Sequence, residues 1–80
     1  MKIIRQFDIF DKFTEELKDE LVIDNLDIET IKNLVELIDG DTKLYYTYQV
    51  KGTLQKYFEN LGYSFQMEQY EYFLTCYQDN

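Results

Sequence analysis

The side chains that could do chemistry in this chain are almost all carboxylates. Sixteen Asp and Glu stand against eight Lys and Arg, histidine is absent, and Cys76 is the single thiol. Without an imidazole, the usual route to general acid–base catalysis at neutral pH is closed. Paired carboxylates remain: Asp8 with Asp11, or Asp19 with Glu20, are the residue types of a glycosidase couple. Eighty residues leave little room for a saccharide cleft, and acids at this density read first as a solvated face. No Ser/His/Asp set, glycine-rich phosphate loop or HExxH motif occurs. The expectation is a protein that is not an enzyme.

Metal chemistry fares little better. Asp24-Asn25-Leu26-Asp27 and Asp39-Gly40-Asp41 look like pieces of calcium loops, yet neither continues into the alternating oxygen ligands and closing Glu of an EF-hand. Asp39-Gly40-Asp41 is better explained as a helix end and turn. Cys76 has no partner for a disulfide, and neither His nor a run of Lys and Arg lies near it in sequence to lower its pKa. It reads as a small hydrophobe packed in a strand. No metal and no cofactor is expected.

Binding, in contrast, needs only surface. Asp8, Asp11, Glu15, Glu16, Asp19, Glu20, Asp24 and Asp27 fall within twenty residues, while eleven of the fourteen Phe and Tyr lie in residues 41–80. Such an acidic segment speeds encounter with a cationic partner, although acids also serve simply to keep an aromatic-rich protein soluble. Tyrosine offers rigid contact area with a hydroxyl to satisfy and is enriched in interfaces. Eight tyrosines are hard to bury together in so small a core. The net charge of −8 opposes direct binding to nucleic acid or to anionic membrane, because both require Lys and Arg to meet phosphate.

These groups need elements to hold them. Residues 2–10 place Ile3, Phe7 and Ile9 on one parity and Gln6 and Asp8 on the other, the period of a half-buried strand, with Ile4 and Phe10 blurring it. Residues 12–23 fit two templates. Phe13, Leu17 and Leu21 form a helical stripe in helix-favouring composition, whereas Leu17, Asp19, Leu21 and Ile23 line one face of a strand. The polar run Asp11–Glu15 after a strand favours a hairpin, which supplies the first strand with a neighbour.

From Asp27, a capping residue, the apolar positions Ile28, Ile31, Leu34, Val35 and Ile38 predict a helix stopped by Gly40. Residues 43–50 alternate Leu44, Tyr46, Tyr48 and Val50 against Tyr45, Thr47 and Gln49, a strand. Thr53 is placed to cap a second helix carrying Leu54, Tyr57, Phe58 and Leu61 and ended by Gly62. Residues 70–77 form the last strand, with Tyr70, Tyr72, Leu74 and Cys76 opposed to Glu71, Phe73, Thr75 and Tyr77. Two short helices cover one face of a small sheet. The order ββαβαβ therefore predicts an α+β two-layer sandwich, a four-stranded mainly antiparallel sheet with two helices on one face. Tyr45, Thr47, Phe73, Thr75 and Tyr77 would occupy the uncovered face.

Eighty residues are one domain, residues 1–80. No stretch approaches the ~20 apolar residues of a membrane span, and Arg5 and Asp8 interrupt the apolar start too early for a signal peptide. A cytoplasmic protein is expected.

The arrangement F-D-x-x-D-K-x-T-E-E-L, D-I-E-T-I-K-N-L-V, Y-x-T-Y-x-V and Q-Y-E-Y-F-L-T-C-Y, carried by the stretches Phe7–Leu17, Asp27–Val35, Tyr46–Val50 and Gln69–Tyr77, resembles a family of small bacterial proteins of uncharacterised function. The resemblance spans nearly the whole chain. It implies a hairpin at the start and a strand over residues 15–23, and it transfers no active site. The family pattern has a glycine in the turn where this chain has Glu15. In character, a small acidic domain of this kind resembles the immunity proteins that neutralise toxin domains of colicin and contact-dependent inhibition systems. Many of those toxins are nucleases, whose basic clefts an acidic inhibitor can occupy.

The expectation is thus an immunity or inhibitor protein, a monomer or weak dimer when free, that binds a basic toxin nuclease domain. Its partner-binding residues would be Asp8, Asp11, Glu15, Glu16, Asp19, Glu20, Asp24, Tyr45 and Tyr77. The alternative from another class is a structural or regulatory adaptor that self-associates through a tyrosine-rich sheet.

Overall fold

Phe7 and Ile9 leave a strand on one side and Gln6, Asp8 and Phe10 on the other, so the fold turns on which side is covered. In the computed structural model, which describes residues 2–79, the chain runs β1 (Lys2–Asp11), β2 (Leu17–Val22), α1 (Ile28–Lys32), β3 (Tyr48–Gln49), α2 (Gly52–Asn60) and β4 (Tyr70–Asp79). The strands form one antiparallel sheet in the order β2-β1-β4-β3. The ββαβαβ order and the α+β architecture are as the sequence predicts. No helix among the described residues is long and apolar enough to cross a membrane.

The core lies on the Phe7 side. Ile31 from α1 and Leu54 and Phe58 from α2 are buried there with Phe7, Tyr48, Val50, Tyr72 and Leu74. Phe7 stands edge-on to three rings, those of Phe58 at 4.8 Å, Tyr63 at 5.4 Å and Phe65 at 5.5 Å. Such T-shaped contacts align the positive ring edge with a negative face and add to area burial. Tyr48 and Tyr72 are core residues, and Tyr57, Tyr63 and Tyr70 pack half-buried against it, so most of the tyrosines are structural.

The ambiguous segment is a strand. Asp11 settles the hairpin by accepting hydrogen bonds from the amides of Phe13 (2.8 Å) and Thr14 (2.9 Å), which bends the chain back before Glu15 takes a left-handed φ of +63°. Glycine would be unstrained there. The two amides hold the Asp11 carboxyl below the usual carboxylate range. A register shift between Ile9 and Phe10 lets Ile9 face Asp19 and Phe10 face Leu17. Leu17 and Leu21 therefore occupy opposite faces, not the shared strand face that their spacing suggests.

The middle of the chain departs furthest from its periodicity. Asp27 caps α1 as expected, accepting from the Thr30 amide and hydroxyl, but the helix ends at Lys32, not near Ile38. Likewise β3 is Tyr48–Gln49, not residues 43–50. For the strand the cause is Asp41, 5 % exposed, whose carboxylate accepts hydrogen bonds from the amides of Tyr45 (2.7 Å) and Tyr46 (3.2 Å) and from the Tyr48 hydroxyl (2.5 Å). The Tyr48 oxygen in turn accepts from the Ile38 amide at 3.1 Å. Amides needed for helix at Ile38 and for a strand at Tyr45 and Tyr46 are thus taken by side chains. Leu44 is held at φ +59° with its side chain buried, a conformation costly for a branched residue and offset by burial and by Asp41.

The second helix begins differently from expectation and ends as expected. Its N-cap is Lys51, which makes no side-chain capping bond, and Thr53 lies inside the first turn. Gly62, at φ +105°, closes it: the Gly62 amide donates to Glu59 (3.0 Å) and the Tyr63 amide to Phe58 (3.1 Å). The Tyr63 and Phe58 rings meet at 5.8 Å, the apolar contact that accompanies this Schellman ending.

Asp41 supports a prediction about stability. Burial pushes its carboxyl up, but the hydrogen bonds from Tyr48, Tyr45 and Tyr46, with Arg5 nearby, outweigh burial and leave it below the ordinary value. Asp41→Ala should destabilise the fold by about 2–4 kcal/mol in urea unfolding, since it strands two amides, and Tyr48→Phe by about 1–2 kcal/mol. A depressed folded pKa means that the stabilisation is present above roughly pH 4 and is lost as the pH falls through the lower folded value. Asp41→Ala should therefore flatten the acid limb of stability against pH.

Candidate protein-binding face

The side of the sheet away from the helices is built by register. Across its middle, Glu20, Asp8 and Phe73 are cross-strand neighbours on β2, β1 and β4, and Gln49 of β3 follows Phe73. One step along β1, Gln6 lies opposite Thr75, and in the other direction Phe10 lies opposite Glu71. Directly paired residues share a face, so carboxylates and phenyl rings alternate across the open surface.

A hydrogen-bonded network stiffens this face. The Gln6 side-chain amide donates to Asp8 at 2.6 Å and also to Glu20, so two carboxylates converge on one neutral donor. The Tyr77 hydroxyl donates to the other Asp8 oxygen at 2.7 Å, and the Thr75 hydroxyl donates to the Gln6 carbonyl at 3.2 Å. Asp8 is only 7 % exposed. The Tyr77 hydroxyl is pushed above the ordinary tyrosine pKa, first by its bond to the Asp8 carboxylate and then by burial. The ion pairs among the described residues, Lys18 with Glu16 and Lys32 with Glu29, each at 3.7 Å, leave Asp8, Glu20 and Glu71 without a cation.

Beside the network the face is concave. A depression of about 450 Å³ is floored and walled by Asp8, Phe10, Phe73 and Tyr77, with Glu15 and Glu71 also on its lining. The Phe10 and Phe73 rings meet edge to face at 5.6 Å and 84°. No Lys or Arg lines it. The chemistry available is acceptance of hydrogen bonds by carboxylates next to aromatic surface, in a setting where a cation is favoured.

Of the residues singled out in sequence, the fold brings Asp8, Glu15, Glu20 and Tyr77 to this face. Asp11 spends its carboxylate on the hairpin turn. Glu16 is exposed beside Lys18, and Asp19, opposite Ile9, belongs to the other face. Asp24 follows β2 and borders a small depression with Arg5. Tyr45 is not on the open face: held in the loop by Asp41, it stands 5.8 Å from the Arg5 guanidinium carbon. Thr47, Phe73 and Thr75 do line it or lie on it as expected. Gln6, Phe10 and Glu71 are additions. Gln6 shares the parity of Asp8, a visible signal, but only the β1–β4 register reveals that Phe10 faces Glu71.

Residues 4–75 match the family described as Domain of unknown function (DUF7683), and the chain belongs to that family. No curated protein and no solved structure matches it.

The Tyr77–Asp8 bond is directly testable. In Asp8→Ala the Tyr77 phenol should titrate at lower pH than in the parent, closer to ordinary tyrosine, as read by ultraviolet absorbance or NMR. An unchanged titration would mean that burial alone raises it. The raised pKa places the bond's stabilisation below roughly pH 10, lost as the pH rises through the higher folded value.

Proposed function

We propose that this family member is an immunity or inhibitor protein that binds and neutralises a basic toxin domain, with a nuclease domain as the leading partner. The observation that carries the reading is the open sheet face, where Asp8, Glu20 and Glu71 stand beside Phe10, Phe73 and Tyr77 with no cation of their own. A net charge of −8 adds a long-range field of the right sign. Acids laid over a nuclease's phosphate-binding cleft would take the place of the substrate backbone. The function requires recognition and no catalysis, and a nuclease acting on cellular nucleic acid sets the cytoplasm as its place of work. The free protein is a monomer or weak dimer in this reading.

Co-expression with the product of a neighbouring toxin-like gene should yield a co-purifying complex. Its association rate should fall by about tenfold or more between low and high salt, and by a similar factor when Asp8, Glu15 and Glu20 are converted together to Lys. An affinity and on-rate indifferent to salt and charge reversal would count against the electrostatic mechanism.

A second reading, a structural or regulatory adaptor that self-associates, draws on β2. That strand is at the sheet edge, exposed throughout, with Leu17, Leu21 and Val22 open to solvent. Exposed apolar edges pair readily with other chains. The edge carries no tyrosine, so self-association would use backbone and aliphatic contacts. Sedimentation of the free protein separates the readings: a monomer across micromolar concentrations speaks for the inhibitor, and a dimer abolished by Val22→Lys speaks for the adaptor.

A further inference from the structure

We infer that the depression on the open face is a receptor for one arginine side chain presented by the protein partner. The inference rests on the reading of the chain as a binder of a basic protein and adds the anchoring contact. Three observations converge. First, Asp8 and Glu20 are directly opposite one another on neighbouring strands and share a single neutral donor, the Gln6 amide. Like charges placed so are mutually unfavourable unless a cation joins them. Second, Asp8 is more than nine-tenths buried yet, among the described residues, bonded to the neutral groups of Gln6 and Tyr77, and each carboxylate oxygen retains a further lone pair. Third, Phe10 and Phe73 wall the hollow that Asp8 lines and that Glu20 adjoins through the Gln6 amide, with Glu71 also on its lining.

A guanidinium suits this arrangement better than an ammonium. It is planar, weakly hydrated and able to lie against a phenyl face while its edge donates to a carboxylate. A metal ion is poorly served, because no group of three or more potential ligands gathers among the described residues. The volume, about 450 Å³, has room for one long side chain projecting from the partner.

The test uses the full chain and small probes, so it does not depend on finding the partner. N-acetyl-arginine amide is titrated into the 15N-labelled protein, with the lysine and citrulline analogues in parallel. The arginine probe should give saturable shifts centred on Asp8, Phe10, Phe73 and Thr75, the lysine probe should bind more weakly, and neutral citrulline should give none. Asp8→Asn and, because Phe73→Ala risks the fold, the near-isosteric change Glu71→Gln at the half-buried Glu71 should each weaken binding of the arginine probe, Asp8→Asn by about tenfold. Non-saturating shifts scattered over Asp19, Asp24 and Glu36, equal for arginine and lysine, would overturn the inference. If a basic toxin binds tightly and Asp8→Asn with Glu71→Gln leaves its affinity unchanged, the arginine receptor fails while the inhibitor reading stands. If the arginine probe binds here and no basic protein does, the reverse holds.

Discussion

The structure depends on the pairing of the first strand of the chain with the last. β1 and β4 match over ten residue pairs, from Lys2 opposite Asp79 to Asp11 opposite Tyr70, and every other element is attached to this ribbon. β2 hangs from β1 by a tight hairpin, the two-residue β3 joins β4 through Tyr48 and Gln49, and the helices rest on the side that Phe7, Tyr72 and Leu74 make apolar. A slip of one residue in this ladder would exchange faces, sending Asp8 toward the helices and Phe7 to water.

The same register that makes the core makes the binding face. Phe7 and Asp8 are adjacent, and the pleat sends one into a cluster of aromatic edges and the other into a network of carboxylates. Burying Asp8 without a cation works against stability, because a desolvated carboxylate needs either hydrogen bonds or an opposite charge. Gln6 and Tyr77 supply the first, and nothing among the described residues supplies the second. Sites where a protein keeps such an arrangement against local preference are where function is sought.

Asp41 plays the comparable part for the central loop. A single buried carboxylate collects two amides and a phenol, and that phenol collects a third amide, so residues 33–47 are shaped by side-chain hydrogen bonds in place of regular structure. The loss of strand from residues 43–47 shortens β3 and carries Tyr45 away from the open face to the neighbourhood of Arg5. One polar contact thereby decides which aromatic residues reach the candidate site.

Much of the fold was legible from periodicity and caps. The alternation in residues 2–10 and 70–77, the Asp27 cap and the Gly62 ending all appear where local chemistry places them, because each is decided by neighbours within a few residues. The acidity and the absence of histidine were equally visible, and they direct attention to binding. Where the chain is governed by distant partners, local patterns misled. Ile38 sits at helical spacing and Tyr45 at strand spacing, but Asp41 and Tyr48 claim the backbone amides of Tyr45, Tyr46 and Ile38 that those elements would use. The identity of the site belongs to tertiary structure for the same reason. Sequence shows sixteen acids of equal standing, and only the register of β2, β1 and β4 sets Glu20, Asp8 and Phe73 in one row with Phe10 and Tyr77 beside it.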